Sequence, residues 1–183
     1  MMKFSHIVIV FITFFASAGM AVSQTSSGTQ EYGDGGAYEG EFLNGLPHGN
    51  GTYELPNGYR YVGEWFEGEI NGQGEALFPN GSVYIGSFVK GKPEGSGKIT
   101  FTDGGTYEGE WANGSITGEG YAKYANGTTY QGTFLDAMHD GKGIMKSPDG
   151  YIYDGTWENG VKQGKATVTY PDGSIYTLSL IHI

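Results

Sequence analysis

A tyrosine recurs along this chain at intervals of 23 residues, without a single insertion or deletion. Two residues after each of the first six tyrosines stands a glycine, and two residues further on stands a tryptophan or phenylalanine. Each unit continues with a Gly-x-Gly pair, which decays to Gly-x-Ala in the sixth, and closes on a turn sequence such as PNG or PDG. A constant period of this length is the signature of a repeat architecture. The repeated tyrosines are Tyr38, Tyr61, Tyr84, Tyr107, Tyr130, Tyr153 and Tyr176.

The residues of one unit alternate in a way that predicts a β-strand with one packed face and one polar face. Tyr61, Gly63 and Trp65 point to one side, whereas Val62 and Glu64 point to the other. We predict a second strand that runs from the Gly-x-Gly pair to the next turn. Because one hairpin cannot bury its own aromatic face, neighbouring units must cover it. The predicted fold is all-β, an elongated single-sheet antiparallel meander of stacked hairpins.

Glycine normally weakens a strand, so its recurrence inside these strands needs a cause. We expect each glycine to leave space for an aromatic ring of a neighbouring strand, which lies flat across it. Trp65 and Trp111 occupy equivalent positions two repeats apart. Each of these rings is predicted to cover a neighbouring glycine and to bury most of its area.

The repeated pattern Tyr-x-Gly-x-Trp/Phe-x-x-Gly-x-x-x-Gly-x-Gly resembles the MORN (membrane occupation and recognition nexus) repeat. The resemblance covers residues 38–177 as six repeats and the start of a seventh. It implies one β-hairpin per repeat, an elongated antiparallel sheet, and scaffolding or membrane-proximal roles, often as one module of a longer protein. Residues 24–37 form a leader that contains a degenerate partial repeat, since "DGGAY" copies the junction between units.

The aromatic face of the repeats is the candidate structural and binding surface. It consists of the tyrosine that opens each of the six units and the tryptophan or phenylalanine four residues later. These residues are Tyr38, Phe42, Tyr61, Trp65, Tyr84, Phe88, Tyr107, Trp111, Tyr130, Phe134, Tyr153 and Trp157.

Residues 1–23 have the order of a secretory signal peptide. Lys3 supplies a positive charge, residues 7–21 are apolar, and small residues follow at two possible cleavage sites. We predict a signal helix that is removed by cleavage somewhere in 18–23, and hence a secreted, periplasmic or cell-surface protein. The alternative is a membrane anchor, although a spanning helix needs roughly 20 apolar residues.

The last residues depart from the repeat. Leu178 stands where a glycine is expected and Leu180 where an aromatic residue is expected. The sequence "LSLIHI" is also the in-frame translation of a common sequencing adaptor. We predict that residues 178–183 are a non-native tail and that the natural chain continues; the alternative is a genuine apolar capping strand.

The charge of the chain limits its partners. The formal net charge is -10, and Arg60 is the only arginine. Nucleic acid and anionic lipid both require clustered cations, so we predict no nucleic-acid partner and leave a neutral lipid or membrane surface open. The chain contains no cysteine, so hydrogen bonds and packing must hold it together.

No group of residues in the sequence has the pattern of a catalytic or metal site. His48 and His139 are predicted to lie in the loop between the two strands of a unit, where a histidine is usually solvated. Asp103, Asp149 and Asp172 are predicted to be turn formers rather than calcium ligands. The glutamates of the polar face are interpreted as a solubilising surface. We therefore predict no catalytic residue, no metal ligand and no cofactor.

These observations favour a non-catalytic exported scaffold that mediates protein–protein association or self-association through its aromatic face and open edges. Two alternatives stay open. The chain could be the N-terminal targeting or binding module of a longer kinase- or methyltransferase-like enzyme, or it could be a lipid or membrane-surface binding module.

Overall fold

The computed structural model describes residues 24–180, and these residues form one open antiparallel sheet of fourteen strands. The order of the strands in the sheet is their order in the chain, so every strand pairs with its neighbour in sequence. The strands are Thr25–Glu31 (β1), Ala37–Leu43 (β2), Leu46–Glu54 (β3), Arg60–Phe66 (β4), Glu69–Leu77 (β5), Val83–Val89 (β6), Lys92–Thr100 (β7), Thr106–Ala112 (β8), Ser115–Lys123 (β9), Thr129–Leu135 (β10), Met138–Lys146 (β11), Ile152–Glu158 (β12), Val161–Thr169 (β13) and Ile175–Leu180 (β14).

The predicted all-β meander of hairpin repeats is confirmed. The part of the chain that the structure describes contains no helix, and hence no helix there could cross a membrane. The predicted signal peptide and its helix, residues 1–23, lie outside the described residues, as do residues 181–183. Residues 175–180, which include the start of the predicted non-native tail, pair with β13 as β14.

The register of the sheet places glycine opposite glycine in one strand pair after another. Gly40 of β2 lies opposite Gly28 of β1 on one side and Gly51 of β3 on the other. The same row continues across the sheet until Ala166 in β13 and Leu178 in β14 replace glycine. Since the row has no break, all the repeats share one register.

The two ends of the strands carry different turns. At one end, each hairpin closes through two residues with positive φ, such as Asn44 (φ 52°) and Gly45 (φ 81°), which is the turn whose twist matches antiparallel strands. At the other end the Asn or Asp side chain accepts the N–H two residues ahead, as Asp103 does from Gly105 at 2.8 Å. Asp149 and Asp172 do the same, so the turn-former interpretation of these aspartates is confirmed.

The second strand of each unit is longer than predicted. It begins directly after the two-residue turn, at Leu46 in β3, and not at the Gly-x-Gly pair. Phe42 pairs with Pro47 and Gly40 pairs with Gly51, so residues 48–50 face a single residue of β2 and form a bulge. The prediction was wrong because the bulge places the first glycine of the pair, Gly49 (φ 64°), inside the strand.

The ring that covers the glycines belongs to the tyrosine of the same hairpin. Tyr61 is fully buried, and a Cβ added at Gly63 or at Gly74 would lie 2.5 Å from its hydroxyl oxygen. The hydroxyl itself donates to the carbonyl oxygen of Glu64 at 3.0 Å. Rings therefore do lie across glycines, as expected, but they are tyrosine rings and not tryptophan rings.

The tryptophan and phenylalanine rings connect one unit to the preceding one. Trp65 packs edge-on against Tyr38 of the previous unit with ring centroids 4.8 Å apart, and Trp111 packs against Tyr84 at 4.9 Å. Both tryptophans are 7% exposed, so their predicted burial is confirmed. They cover the rings that cover the glycines, and this second layer holds the repeats together.

Candidate protein-binding surfaces

The side chains of the aromatic face pack against one another, so little of this face is exposed. Of the twelve aromatic residues predicted to form it, eleven are at most 7% exposed, and only Phe42 is partly buried. The structure brings all of them together on one side of the sheet, where they form the core. Their role as a binding surface stays a prediction.

Exposed aromatic rings lie beside this core, near the Pro-Asn-Gly type of turn. Phe101, Tyr124 and Tyr170 are 38%, 39% and 42% exposed, and they share one position of the 23-residue repeat, which Ser147 occupies in the unit between Tyr124 and Tyr170. Phe101 and Tyr124 line a cavity of about 150 Å³ together with Ile116 and Phe134. The 23-residue period applied to this position would have identified them from the sequence.

Burial makes the core tyrosines permanent hydrogen-bond donors. It raises the pKa of Tyr84, Tyr107 and Tyr130 to about 12, so these hydroxyls keep their protons at any physiological pH. Each donates to a backbone carbonyl oxygen three residues ahead, at 3.0–3.1 Å. These hydrogen bonds stabilise the backbone of the strand that carries each tyrosine.

Some glutamates of the polar face have a structural role that the sequence did not indicate. Glu64 accepts the N–H of Gln73 at 2.8 Å, and Glu41 accepts that of Asn50 at 3.2 Å. Both acceptors therefore stabilise the bulge of their own unit. In later units Thr133 takes this position, and its hydroxyl donates to the carbonyl oxygen of Asp140.

The two histidines of the array lie inside strands and not in a loop. His139 of β11 stacks on Tyr130 with ring centroids 3.7 Å apart, and its Nε2 lies 2.6 Å from the Tyr124 hydroxyl. Burial lowers the pKa of His139 to about 4. His48 of β3 lies beside Phe66, with centroids 5.4 Å apart. The predicted position was wrong because the second strands begin directly after the two-residue turns.

No group of three or more potential metal-ligating side chains occurs among residues 24–180. The structure places Asp103, Asp149 and Asp172 in separate turns, each used by its own backbone.

The free edge of β1 differs from every interior strand. Within residues 24–180, β1 pairs only with β2. Gly28 is its member of the glycine row, and the nearest atom to a Cβ added there is Cε2 of Phe42 at 3.9 Å. At Gly51, one repeat later, the added Cβ would instead collide with the ring of Tyr38. The groove above Gly28 is thus open.

A second feature missed from the sequence is a line of apolar side chains beside the two-residue turns, which we name the turn-edge stripe. Its members flank these turns and are 42–52% exposed. They are Leu46, Phe66, Val89, Leu135, Met138 and Val161. The signal was present in the sequence, since the residue after each large aromatic is apolar in the first five units.

Comparison with solved structures finds two domains from Drosophila melanogaster. The TCP domain of SAS-4 (dCPAP), solved in complex with a proline-rich motif of Ana2 (dSTIL), aligns with a TM-score of 0.51 at 10% identity, over 94% of this chain and 99% of that one. The TCP10c domain of Sas-4 aligns with a TM-score of 0.45 at 10% identity, over 87% and 100%. At such low identity the likeness concerns the fold alone. No curated protein sequence matches this chain.

The MORN repeat model matches the chain six times in succession. The matches cover residues 38–58, 61–83, 84–106, 107–129, 130–150 and 153–175, which is well over half of the sequence. Their boundaries follow the hairpins seen in the sheet. This chain therefore belongs to the MORN repeat family.

Proposed function

We propose that this protein is a non-catalytic exported scaffold that associates with protein strands, including those of a second copy, at the free edge of β1. One observation carries the proposal: β1 corresponds to the second strand of a hairpin unit, and residues 24–180 contain no first strand that pairs with its other edge. Gly28 precedes its equivalent Gly51 by one period, and no tyrosine ring covers it. A strand that supplied the missing ring would complete the unit.

The register of the complete units specifies how the missing strand would bind. In the β2–β3 hairpin, Tyr38 lies opposite Tyr53 and Glu39 lies opposite Thr52. Gln30 and Thr29 of β1 precede Tyr53 and Thr52 by one period of 23 residues. An incoming strand would therefore place its tyrosine opposite Gln30, by addition to the sheet edge.

A second copy of the chain has a strand of the required type, although residues 178–180 of that strand belong to the predicted non-native tail. Strand β14 corresponds to the first strand of a unit, and within the described residues it pairs only with β13. Its Ile175 and Tyr176 are 66% and 54% exposed, whereas the six earlier tyrosines of this position are buried. Head-to-tail association would place Thr177 of one copy opposite Thr29 of the next.

Cysteine cross-linking tests this register directly, because the chain has no cysteine of its own. Opposite residues in antiparallel strands have Cα atoms about 4.5–5.5 Å apart, which suits a disulfide. The Thr29→Cys, Thr177→Cys double variant should form a ladder of covalent oligomers under mild oxidation. The off-register pair Thr25→Cys, Thr177→Cys is the control. An equal ladder from the control, or none from the first pair, would refute edge pairing.

Two further considerations support the scaffold and bear on its location. The TCP domain that resembles this fold is known in complex with a proline-rich motif, so a similar fold accommodates a protein segment. The signal-like pattern of residues 1–23 supports export, and mass spectrometry of the exported protein should find a new N-terminus within 18–23. An intact Met1 on membranes would favour an anchor instead.

A further inference from the structure

The turn-edge stripe is an apolar surface that the proposed edge pairing does not use. Its six side chains lie beside the two-residue turns, on the face opposite the aromatic core, and they occur in every complete unit except the fourth. Phe66, at 52% exposure, is the largest of them, and Leu135 reaches 50%. Large exposed apolar side chains aligned along one side of a sheet face are typical of a docking surface.

The spacing of the stripe matches the heptad rise of an α-helix and differs from the roughly 6.6 Å between same-face residues of a β-strand. Equivalent residues of successive units are separated by two strands, hence by about 10 Å across the sheet. Seven residues of an α-helix rise by about 10.5 Å, so side chains one heptad apart would meet successive units. Phe66, Val89 and Leu135 would each meet one position of such a helix.

The charges around the stripe determine which charge a partner should carry. Acidic side chains in or next to the same turns, Glu67, Glu69, Asp136 and Glu158, outnumber the basic ones, Lys90 and Lys92. The whole chain carries a formal net charge of -10. A second copy of this stripe or an anionic membrane would be repelled, whereas a cationic partner would be attracted.

We infer that the turn-edge stripe binds a basic amphipathic α-helix of a partner protein, with apolar residues repeated every seven positions. The inference rests on the scaffold role proposed above and names its partner chemistry. The apolar side of the helix would cover the stripe, and its lysines or arginines would face the acidic turn residues. The β1 edge would stay free, so the two surfaces could be occupied together.

Binding of a designed peptide tests the inference. The probe is a labelled four-heptad peptide with leucine at the apolar heptad positions and lysine elsewhere, titrated with the full chain by fluorescence anisotropy. The stripe variant Phe66→Ser, Leu135→Ser should bind at least about tenfold more weakly. The control variant Val62→Ser, Tyr121→Ser changes exposed residues of the same face away from the turns, 37% and 45% exposed, and should bind like the parent.

Two further arms separate helix docking from nonspecific charge attraction and from lipid binding. A scrambled peptide of the same composition, or a glutamate version of the same pattern, should bind much more weakly than the probe. Equal binding of the scrambled peptide, equal loss in both double variants, or stripe-dependent capture of neutral phosphatidylcholine vesicles in preference to the peptide would overturn the inference. The Thr29–Thr177 cross-link reports on edge pairing alone, so failure of the helix proposal and failure of the scaffold proposal are distinguishable.

Discussion

The fourth and fifth repeats, residues 107–129 and 130–152, have the same backbone and different side chains at the same contacts. Each has a buried tyrosine, a Gly–Gly pair beneath its ring and a two-residue turn. Most equivalent side chains differ between them, and four of these differences lie at the contacts and the turn that the hairpins share. In the order fourth and fifth repeat, these pairs are Trp111 and Phe134, Glu110 and Thr133, Gly114 and Ala137, and Ile116 and His139.

The comparison shows which requirements of a repeat are strict. The ring of Tyr107 and the ring of Tyr130 lie over glycines that could not accept a side chain. The position opposite the large aromatic residue holds Ile116 in the fourth repeat and His139 in the fifth, so it accepts side chains of different chemistry. The space below the tyrosine ring therefore restricts the residue type more strictly than the contacts above the ring do. Four sets of substitutions test this conclusion, in order of decreasing effect.

Removal of the ring that joins two repeats should have the largest effect. Trp111→Ala and Phe134→Ala should each lower the free energy of unfolding by about 3–5 kcal/mol, because each ring covers the tyrosine of the preceding unit. Denaturant unfolding followed by circular dichroism measures both. Glu108→Ala, an exposed control whose ion pair with Lys98 spans 3.5 Å, should change it little. A large difference between the two ring variants would mean that the repeats are not equivalent.

Filling the space below the ring should have the next largest effect. A Cβ at Gly120 would lie 2.5 Å from the Tyr107 hydroxyl oxygen, and one at Gly143 would lie 2.5 Å from Cε2 of Tyr130. Gly120→Val and Gly143→Val should each cost about 3 kcal/mol or more, despite the better strand propensity of valine. If either variant melts at or above the parent, the glycines serve some purpose other than space for the ring.

The turns should respond oppositely in the two repeats. Ala137 has φ 62°, a left-handed conformation that costs alanine about 1 kcal/mol, whereas Gly114 adopts φ 86° without that cost. Ala137→Gly should therefore stabilise the protein by about 1 kcal/mol, and Gly114→Ala should destabilise it by a similar amount. Thermal melts of the two variants measure the difference. Changes of the same sign would contradict the left-handed assignment.

Of the two repeats compared, only the fifth contains a partly buried histidine whose protonation should destabilise it. Burial lowers the pKa of His139 to about 4, so the unfolded chain takes up this proton first as the pH falls. The stability that depends on neutral His139 is complete above about pH 6.5 and is lost between there and about pH 4. Because the ring is only partly buried, we expect a loss of about 1 kcal/mol.

Unfolding of the parent and of His139→Ile at a series of pH values isolates this contribution. The difference in unfolding free energy between the two proteins should shift in favour of the variant below about pH 6.5. A difference that stays constant from about pH 7 to about pH 4 would show that His139 is protonated without cost in the folded state.

The repeat period predicted the fold correctly, because a constant interval leaves one register for all hairpins. It did not predict the length of the second strand. The bulge at residues 48–50 depends on a carboxylate reaching the backbone from the neighbouring strand, as Glu41 does. Since that contact joins residues nine positions apart, alternation along one strand cannot reveal it.

The candidate surfaces were only partly predictable. The aromatic residues were identified correctly as one face, but alternation could not tell that their own packing would cover them. The turn-edge stripe was visible as a period in the sequence, yet its exposure depends on the two-residue turns. The open groove at Gly28 follows only from the pairing of β1 with β2.

The sequence by itself determined the all-β class, the number of complete hairpins, the common register and the turns of the Pro-Asn-Gly type, because each of these depends on local spacing and local residue type. The tertiary structure decided which ring covers which residue. Tyr38 lies over the glycines of its own unit, and Trp65 lies over Tyr38. Both rings occupy the same face at the same period, so no pattern in the sequence distinguishes them. Their order follows from the distance that each side chain spans across the pleated sheet, and only the packed structure specifies that distance.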